Sequence, residues 1–222
     1  MKLLAIDTST ELASVALMVD NEMLCEEQPS QKTHAQLLLP MIDQLMTQAD
    51  LKISQLDGIV FGCGPGSFTG LRIACSIAKG LAYAHDLGLI PVSSLGAIAY
   101  AAREQKEHAH SSVLAVLDAR MNELYWSYFS ENALISVDKV NAAHEIQLPV
   151  QQPVILAGVG IDVYWERIPD VLKSQINTRL TLYPNAAVMI RLALHAKIKP
   201  IPVAAAEPVY VRNKVTQGES RG

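Results

Sequence analysis

A run of apolar residues closed by an aspartate occurs twice in this 222-residue chain, as Leu3-Leu4-Ala5-Ile6-Asp7 and again as Leu114-Ala115-Val116-Leu117-Asp118. After nearly the same gap each run is followed by a Glu-Leu pair, Glu11-Leu12 and Glu123-Leu124. Two buried strands ending in aspartate, each followed by a turn and a second strand, imply two lobes of related construction. Chance similarity between two buried strands would give the same short match. The length suits two lobes of about 100 residues each.

The pattern between the repeats alternates strand and helix signals. Lys2 to Ile6, Ala13 to Val19 and Met23 to Glu27 read as strands, the last two joined by the turn Asp20-Asn21. Thr33 with Gln36 has the form of a capping box and opens a helix through about Ala49. Strand Gly58 to Gly62, a Gly-Pro-Gly turn, a helix over Phe68 to His85, strand Leu89 to Ser93 and helix Leu95 to Lys106 complete a first lobe over residues 1–106. Its order, βββαβαβα, describes a mixed sheet with helical crossovers, hence the α/β class. The charged segment Arg103 to Ser112 is the natural junction. The second lobe, 107–213, reads as shorter. Its strands fall near Val113–Asp118, Leu124–Ser130 and Val154–Ala157, and its helices near Asp162–Ser174 and Asn185–Lys197. The polar tail 214–222 is expected to be mobile.

Composition narrows the function. Half the residues are apolar, and 18 basic against 22 acidic residues leave a formal charge of −4. A chain that grips nucleic acid by itself carries a basic surplus, and none is visible here. Cys25, Cys63 and Cys75 form no paired spacing and read as reduced core residues. The first apolar run is too short for a signal peptide and is interrupted by Asp7, and no stretch approaches the roughly 20 apolar residues of a membrane span. The expectation is a cytoplasmic chain with no membrane segment.

Several residue groups could carry chemistry. Asp7-Thr8-Ser9 ends the first strand, where a phosphotransfer fold presents hydroxyls and N–H groups to phosphate; a hydrogen-bonded turn explains the same residues. Gly64-Pro65-Gly66-Ser67-Phe68-Thr69-Gly70 follows a strand and opens a helix, so its N–H groups could face an anion. Leu71-Arg72 stands where a P-loop requires Lys-Ser/Thr, and Thr69 occupies the third glycine position of G-x-G-x-x-G. A tight strand-to-helix turn accounts for the string equally. Ser67 has no His, Lys or Asp near it in sequence to act as a base. Ala157-Gly158-Val159-Gly160 resembles a base-binding glycine loop or, again, a turn. His108 and His110 near Glu104 and Glu107 lie in a polar junction where solvated histidines are the rule, and His34 starts a helix.

Two helices suggest an interface. Gly70, Ala74, Ala78 and Ala82 recur every four residues and leave one smooth face, which either the preceding helix or another chain could fill. Leu37, Leu38, Leu39, Met41, Ile42, Leu45 and Met46 cover more of their helix than the ~100° stripe that a single core face needs. The expected interface set is Leu37, Leu38, Met41, Ile42, Leu45, Gly70, Leu71, Ala74, Ala78 and Ala82.

Together, Leu4-Ala5-Ile6-Asp7-Thr8-Ser9, Gly64-Pro65-Gly66-Ser67-Phe68-Thr69-Gly70-Leu71-Arg72 and Leu117-Asp118-Ala119-Arg120 resemble the TsaB (YeaZ) family over nearly the whole chain. The resemblance implies a two-lobed actin/Hsp70-like ATPase (ASKHA) fold with a degenerate second lobe. It also implies a non-catalytic subunit paired through its first two helices with the catalytic sister protein TsaD, and with the ATPase TsaE through the complex. That complex transfers a threonylcarbamoyl group to the adenosine beside the anticodon of tRNAs reading codons that begin with adenine. The chain alone would form a homodimer and would meet tRNA indirectly. The sister family's metal ligands align with Ser94, Ile98 and a position at or beside Pro184, and serine, isoleucine and proline do not make a transition-metal site. The resemblance therefore implies no metal, no catalytic residue and no cofactor, with weak nucleotide binding at Asp7, Thr8 and Ser9 left open. The alternatives are a free-standing glycoprotease-like peptidase or ATP-using transferase, and a homodimeric regulator.

Overall fold

The computed structural model describes residues 1–29 and 34–212. Thr33, half of the expected capping box, and the tail from Asn213 lie outside the described residues.

The first lobe opens with three antiparallel strands, β1 (Lys2–Asp7), β2 (Leu12–Val19) and β3 (Glu22–Pro29). Helix α1 (His34–Gln48), β4 (Gly58–Gly64), α2 (Phe68–His85), β5 (Leu89–Ser93) and α3 (Ser94–Glu104) follow. The second lobe contains β6 (Val113–Asp118), β7 (Glu123–Phe129), β8 (Lys139–Ala142), β9 (Val154–Val159), the four-residue α4 (Asp170–Lys173), β10 (Ile176–Thr181) and α5 (Ala186–His195).

The repeat in the sequence is a repeat of topology. The first sheet runs β3-β2-β1-β4-β5 and the second β8-β7-β6-β9-β10, so the strands of each lobe take the same order. In both, the first three strands pair antiparallel and the remaining two join in parallel. What differs is the covering. Where the first lobe has α1 and α2, the second has a 3-10 turn at Ala143–Glu145 and a broken run of two 3-10 turns and α4. The continuous helix expected over Asp162–Ser174 is absent, because Gly160 starts the run at φ +84° and Pro169 interrupts its hydrogen bonding. Strands β8 and β10 were not expected; both are edge strands, and neither holds a fully buried residue.

The lobes exchange their last helices. On one face of the first sheet, Leu4, Ile6, Ile59 and Phe61 pack against α1 and α2. On its other face Leu3, Ala5, Val60 and Val92 pack under α5, which the chain order assigns to the second lobe. Helix α3 in turn places Leu95, Ile98, Ala99 and Ala102 on Val113, Ala115 and Leu117 of the second sheet. Arg103 fastens it there, donating to the carbonyls of Ser111 (3.0 Å), Ala133 (2.6 Å), Phe129 (3.1 Å) and Ser130 (2.5 Å). A boundary at residue 106 separates the two sheets but not the two packing units.

Candidate functional site

A cleft of about 730 Å³ lies between the lobes, a size that suits a small ligand. One wall is Ser9, Thr10 and Glu11 with Gly66–Thr69 at the start of α2; the other is Asp118–Met121 and Gly160, and Val209, Tyr210 and Arg212 close one side.

The residues that a phosphotransfer fold would turn toward a phosphate are turned inward here, hydrogen-bonded among themselves and to the start of α2. Asp7, Thr8 and Ser9 are all buried. The Asp7 carboxylate accepts the Ser9 hydroxyl at 2.8 Å and its backbone N–H at 3.3 Å through Oδ2. Its other oxygen faces Gly62, where a Cβ would stand 1.9 Å away. Burial pushes the Asp7 carboxyl up to about 6 against the opposing pull of the Ser9 bonds. The Thr8 hydroxyl donates to the Gly70 carbonyl at 2.8 Å. The Ser67 N–H, which a phosphate loop would offer to an anion, donates to the Ser9 carbonyl at 2.7 Å.

The glycines of the string serve this packing. A Cβ on Gly66 would stand 2.4 Å from the Ser9 carbonyl oxygen, and one on Gly70 1.8 Å from that of Thr8. Ser67 caps α2 by accepting the Gly70 N–H at 3.3 Å. On the second lobe, Gly158 at φ +140° lets β9 approach Val116, whose carbonyl oxygen would be 1.9 Å from a Cβ. These glycines are explained by contacts within the chain.

The second lobe's wall is a turn that carries charge. Asp118 accepts the Arg120 N–H at 2.8 Å and the Tyr164 hydroxyl at 2.8 Å, and pairs with the Arg120 guanidinium at 3.2 Å. Arg120, Met121 and Asn122 are all left-handed, at φ 61°, 53° and 63°.

The positions aligned with the sister family's metal ligands do not fit a metal ion. Ser94 is buried and offers one hydroxyl, Ile98 is packed in an apolar cluster and Pro184 has no donor atom. Among the described residues no group of three or more His, Cys, Asp or Glu could hold a metal. Glu104 is engaged by Arg191 (2.8 Å) and His108 lies 3.5 Å from Glu107, so the junction histidines do not converge.

The expected interface set requires correction. Leu38, Met41, Ile42, Leu45, Gly70, Leu71, Ala74, Ala78 and Ala82 are all buried within this chain; of the ten, Leu37 alone is half-exposed. The smooth face of α2 rests on β4 and β1 and meets α1, and α1 lies on β2 and β3, so the chain's own sheet covers both apolar faces. What these helices show to the outside is different: Leu39, Phe68 and Tyr83 are 52, 43 and 82% exposed, and Ile73, Ile77 and Leu81 are half-buried beside them. A Cβ on Gly80 would meet nothing within 4 Å. Tyr210 and Arg212 had no signal in the sequence beyond an aromatic and a basic residue before a polar tail.

Two lobes of identical strand order, with helices between them and a cleft at the aspartate ends of their first strands, define the actin/Hsp70-like class of α/β proteins. Residues 27–199 match the family described as TsaD: tRNA N6-adenosine threonylcarbamoyltransferase. The chain is 36% identical to the tRNA threonylcarbamoyladenosine biosynthesis protein TsaB of Haemophilus influenzae, over 96% of this chain and 94% of that protein. It is 34% identical to the protein of the same name from Escherichia coli, over 97% and 96%. The solved structure of YeaZ from Pseudomonas aeruginosa superposes with a TM-score of 0.85 at 34% identity, covering 94% of this chain and 99% of that one. The chain belongs to the TsaB/YeaZ family. No helix among the described residues is long and apolar enough to cross a membrane.

Proposed function

We propose that this chain acts in tRNA threonylcarbamoyladenosine biosynthesis as a non-catalytic subunit that binds and supports a TsaD-type catalytic protein. The observation that carries the reading is the match, over nearly the full length of both chains, to proteins named for that biosynthesis. The geometry agrees with a supporting role. The glycine string that could have held a phosphate is bonded to the chain's own first turn. The donor set at Ser94, Ile98 and Pro184 suits no metal. Nucleotide binding in the cleft is accordingly weak or absent. The exposed strip of α1 and α2, with Leu39, Ile73, Ile77 and Tyr83, is the surface offered to the catalytic protein, and to a second copy when that protein is missing. The ATPase TsaE joins through the assembled complex, and tRNA is held mainly by the other subunits, in keeping with the formal charge of −4.

The test is a titration of the purified chain with the catalytic sister protein, followed by the modification assay with each component omitted in turn. The expected outcome is a stable complex, with modification lost when either protein is absent and no turnover by this chain alone. Modification by the isolated chain would overturn the reading.

A further inference from the structure

After α5 the chain returns along the first lobe and then leaves it. Ile201 and Leu89 exchange backbone bonds of 2.7 and 3.0 Å at the edge of β5. The carbonyl of buried Ala206 accepts from Lys79 Nζ at 3.0 Å and from the Cys75 thiol at 3.8 Å, and the Val209 N–H donates to the Cys63 carbonyl at 2.7 Å. Gly64 lies against this strap: a Cβ there would be 3.1 Å from the Val209 carbonyl oxygen. Tyr210 then settles on the start of α2. Its ring lies 5.6 Å from that of Phe68, and its hydroxyl accepts from Arg72 Nε at 2.9 Å. The Arg72 guanidinium in turn covers the Phe68 ring at 3.6 Å.

Two residues further, Arg212 reaches the second lobe. Its guanidinium pairs with Glu123 and touches the Met121 sulfur at 3.3 Å. Met121 is the centre of the left-handed run Arg120–Asn122, a conformation that residues with a Cβ rarely hold. The turn is closed by the bonds Ala119 N–H to Glu123 carbonyl and Glu123 N–H to Arg120 carbonyl, both 3.0 Å. The strap is thus rooted in the first lobe through backbone and packing, and grips the second through one side chain. It does so at the cleft, with Val209, Tyr210 and Arg212 all lining the opening.

We propose that Val209–Arg212 is a clasp that sets how far the interlobe cleft opens, with the Arg212–Glu123 pair as its releasable tie. A charge-assisted pair of two partly buried side chains is strong enough to hold the closed geometry and single enough to be broken without disturbing either sheet. Access to the space between Ser67 and Arg120 is then governed by the C-terminal segment and not by either lobe alone. The inference does not depend on which partner the chain serves.

The experiment compares the full chain with Arg212→Glu, Glu123→Arg and the two together. Hydrogen exchange is followed at the Ala119 and Glu123 amides. Cleft width is read by electron spin resonance between labels at Thr69→Cys and Arg120→Cys in a Cys25→Ser background. Each single reversal is expected to speed exchange at those two amides by about tenfold, the factor carried by one charge-assisted tie. It also moves the label distances to longer values, while β1 and β4 keep their protection; the paired reversal restores both. Unchanged exchange in the singles, no restoration in the pair, or faster exchange without a change in distance would overturn the clasp. If a reversal unfolds β1 and β4 as well, Arg212→Gln, which removes charge without reversing it, decides by the same two readouts.

Discussion

Thr8 and Gly70 touch twice: the Thr8 hydroxyl donates to the Gly70 carbonyl at 2.8 Å, and the Thr8 carbonyl oxygen lies 1.8 Å from where a Cβ on Gly70 would stand. The turn after β1 and the first turn of α2 are therefore in backbone contact, with no room for a side chain or for a phosphate between them. Replacing Gly70 by Ala forces the helix away from that turn and is expected to cost about 3 kcal/mol in denaturant unfolding, the upper range for overpacking. Gly80 on the same helix is the internal control. It faces open space, and Gly80→Ala should gain roughly 0.5–1 kcal/mol from helix propensity.

Ser67 belongs to the same contact, but its hydroxyl does a separate job. It accepts the Gly70 N–H at 3.3 Å and so caps α2. Ser67→Ala is expected to lower stability by about 1 kcal/mol, as cap removal does, and to leave modification by the reconstituted complex nearly intact. Complete loss of activity in a folded, assembled variant would instead give the hydroxyl a chemical role.

The buried Asp7 carboxyl makes a pH signature. Its folded value of about 6 lies above the ordinary 3.8, so the folded chain holds that proton more tightly than the unfolded one. Its contribution to stability is complete below about pH 4 and is lost as pH rises through about 6, a change of roughly 3 kcal/mol for a shift of this size. Asp7→Asn keeps an oxygen for the Ser9 bonds and removes the titration. The difference in unfolding free energy between wild type and Asp7→Asn should therefore move in favour of the variant between pH 4 and pH 6 and be flat on either side. A constant difference across that range would mean the carboxyl does not titrate there.

The limits of sequence reasoning here have physical causes. The helix over Phe68–His85 and the strands Leu89–Ser93 and Val113–Asp118 were legible, because a glycine turn and continuous apolar runs are local signals. Strands β8 and β10 were not, since edge strands with a solvated face carry no such run. The every-fourth small residues of α2 announced a close approach but not to what; the neighbour is β4 and β1 of the same chain. In the same way the apolar excess of α1 was real, yet Leu38, Met41, Ile42 and Leu45 are covered from within and Leu39 is the residue left outside. The glycine string lies at the cleft, and only the structure separates glycines that admit a ligand from glycines that admit the chain's own carbonyls. The Arg212–Glu123 pair spans 89 positions and leaves no local trace.

The corrected surface changes how a partner must be tested. Ala78 is fully buried, so a charged residue there would unfold the lobe and say nothing of binding. Gly80→Arg is the informative variant: the position is open, the substitution favours the helix, and Tyr83 beside it is 82% exposed. If the catalytic protein docks on the outer face of α2, a long cation at the centre of that face must be desolvated or displaced. Binding should then weaken at least tenfold, about 1.4 kcal/mol, in a calorimetric titration. Thermal unfolding of the isolated chain should stay at or slightly above its wild-type midpoint. Tyr83→Ala, which removes apolar area without adding charge, should weaken the same complex by a comparable amount if that ring is buried on docking. Wild-type affinity in both variants would move the docking surface off α2 altogether, whatever the fate of the complex as a whole.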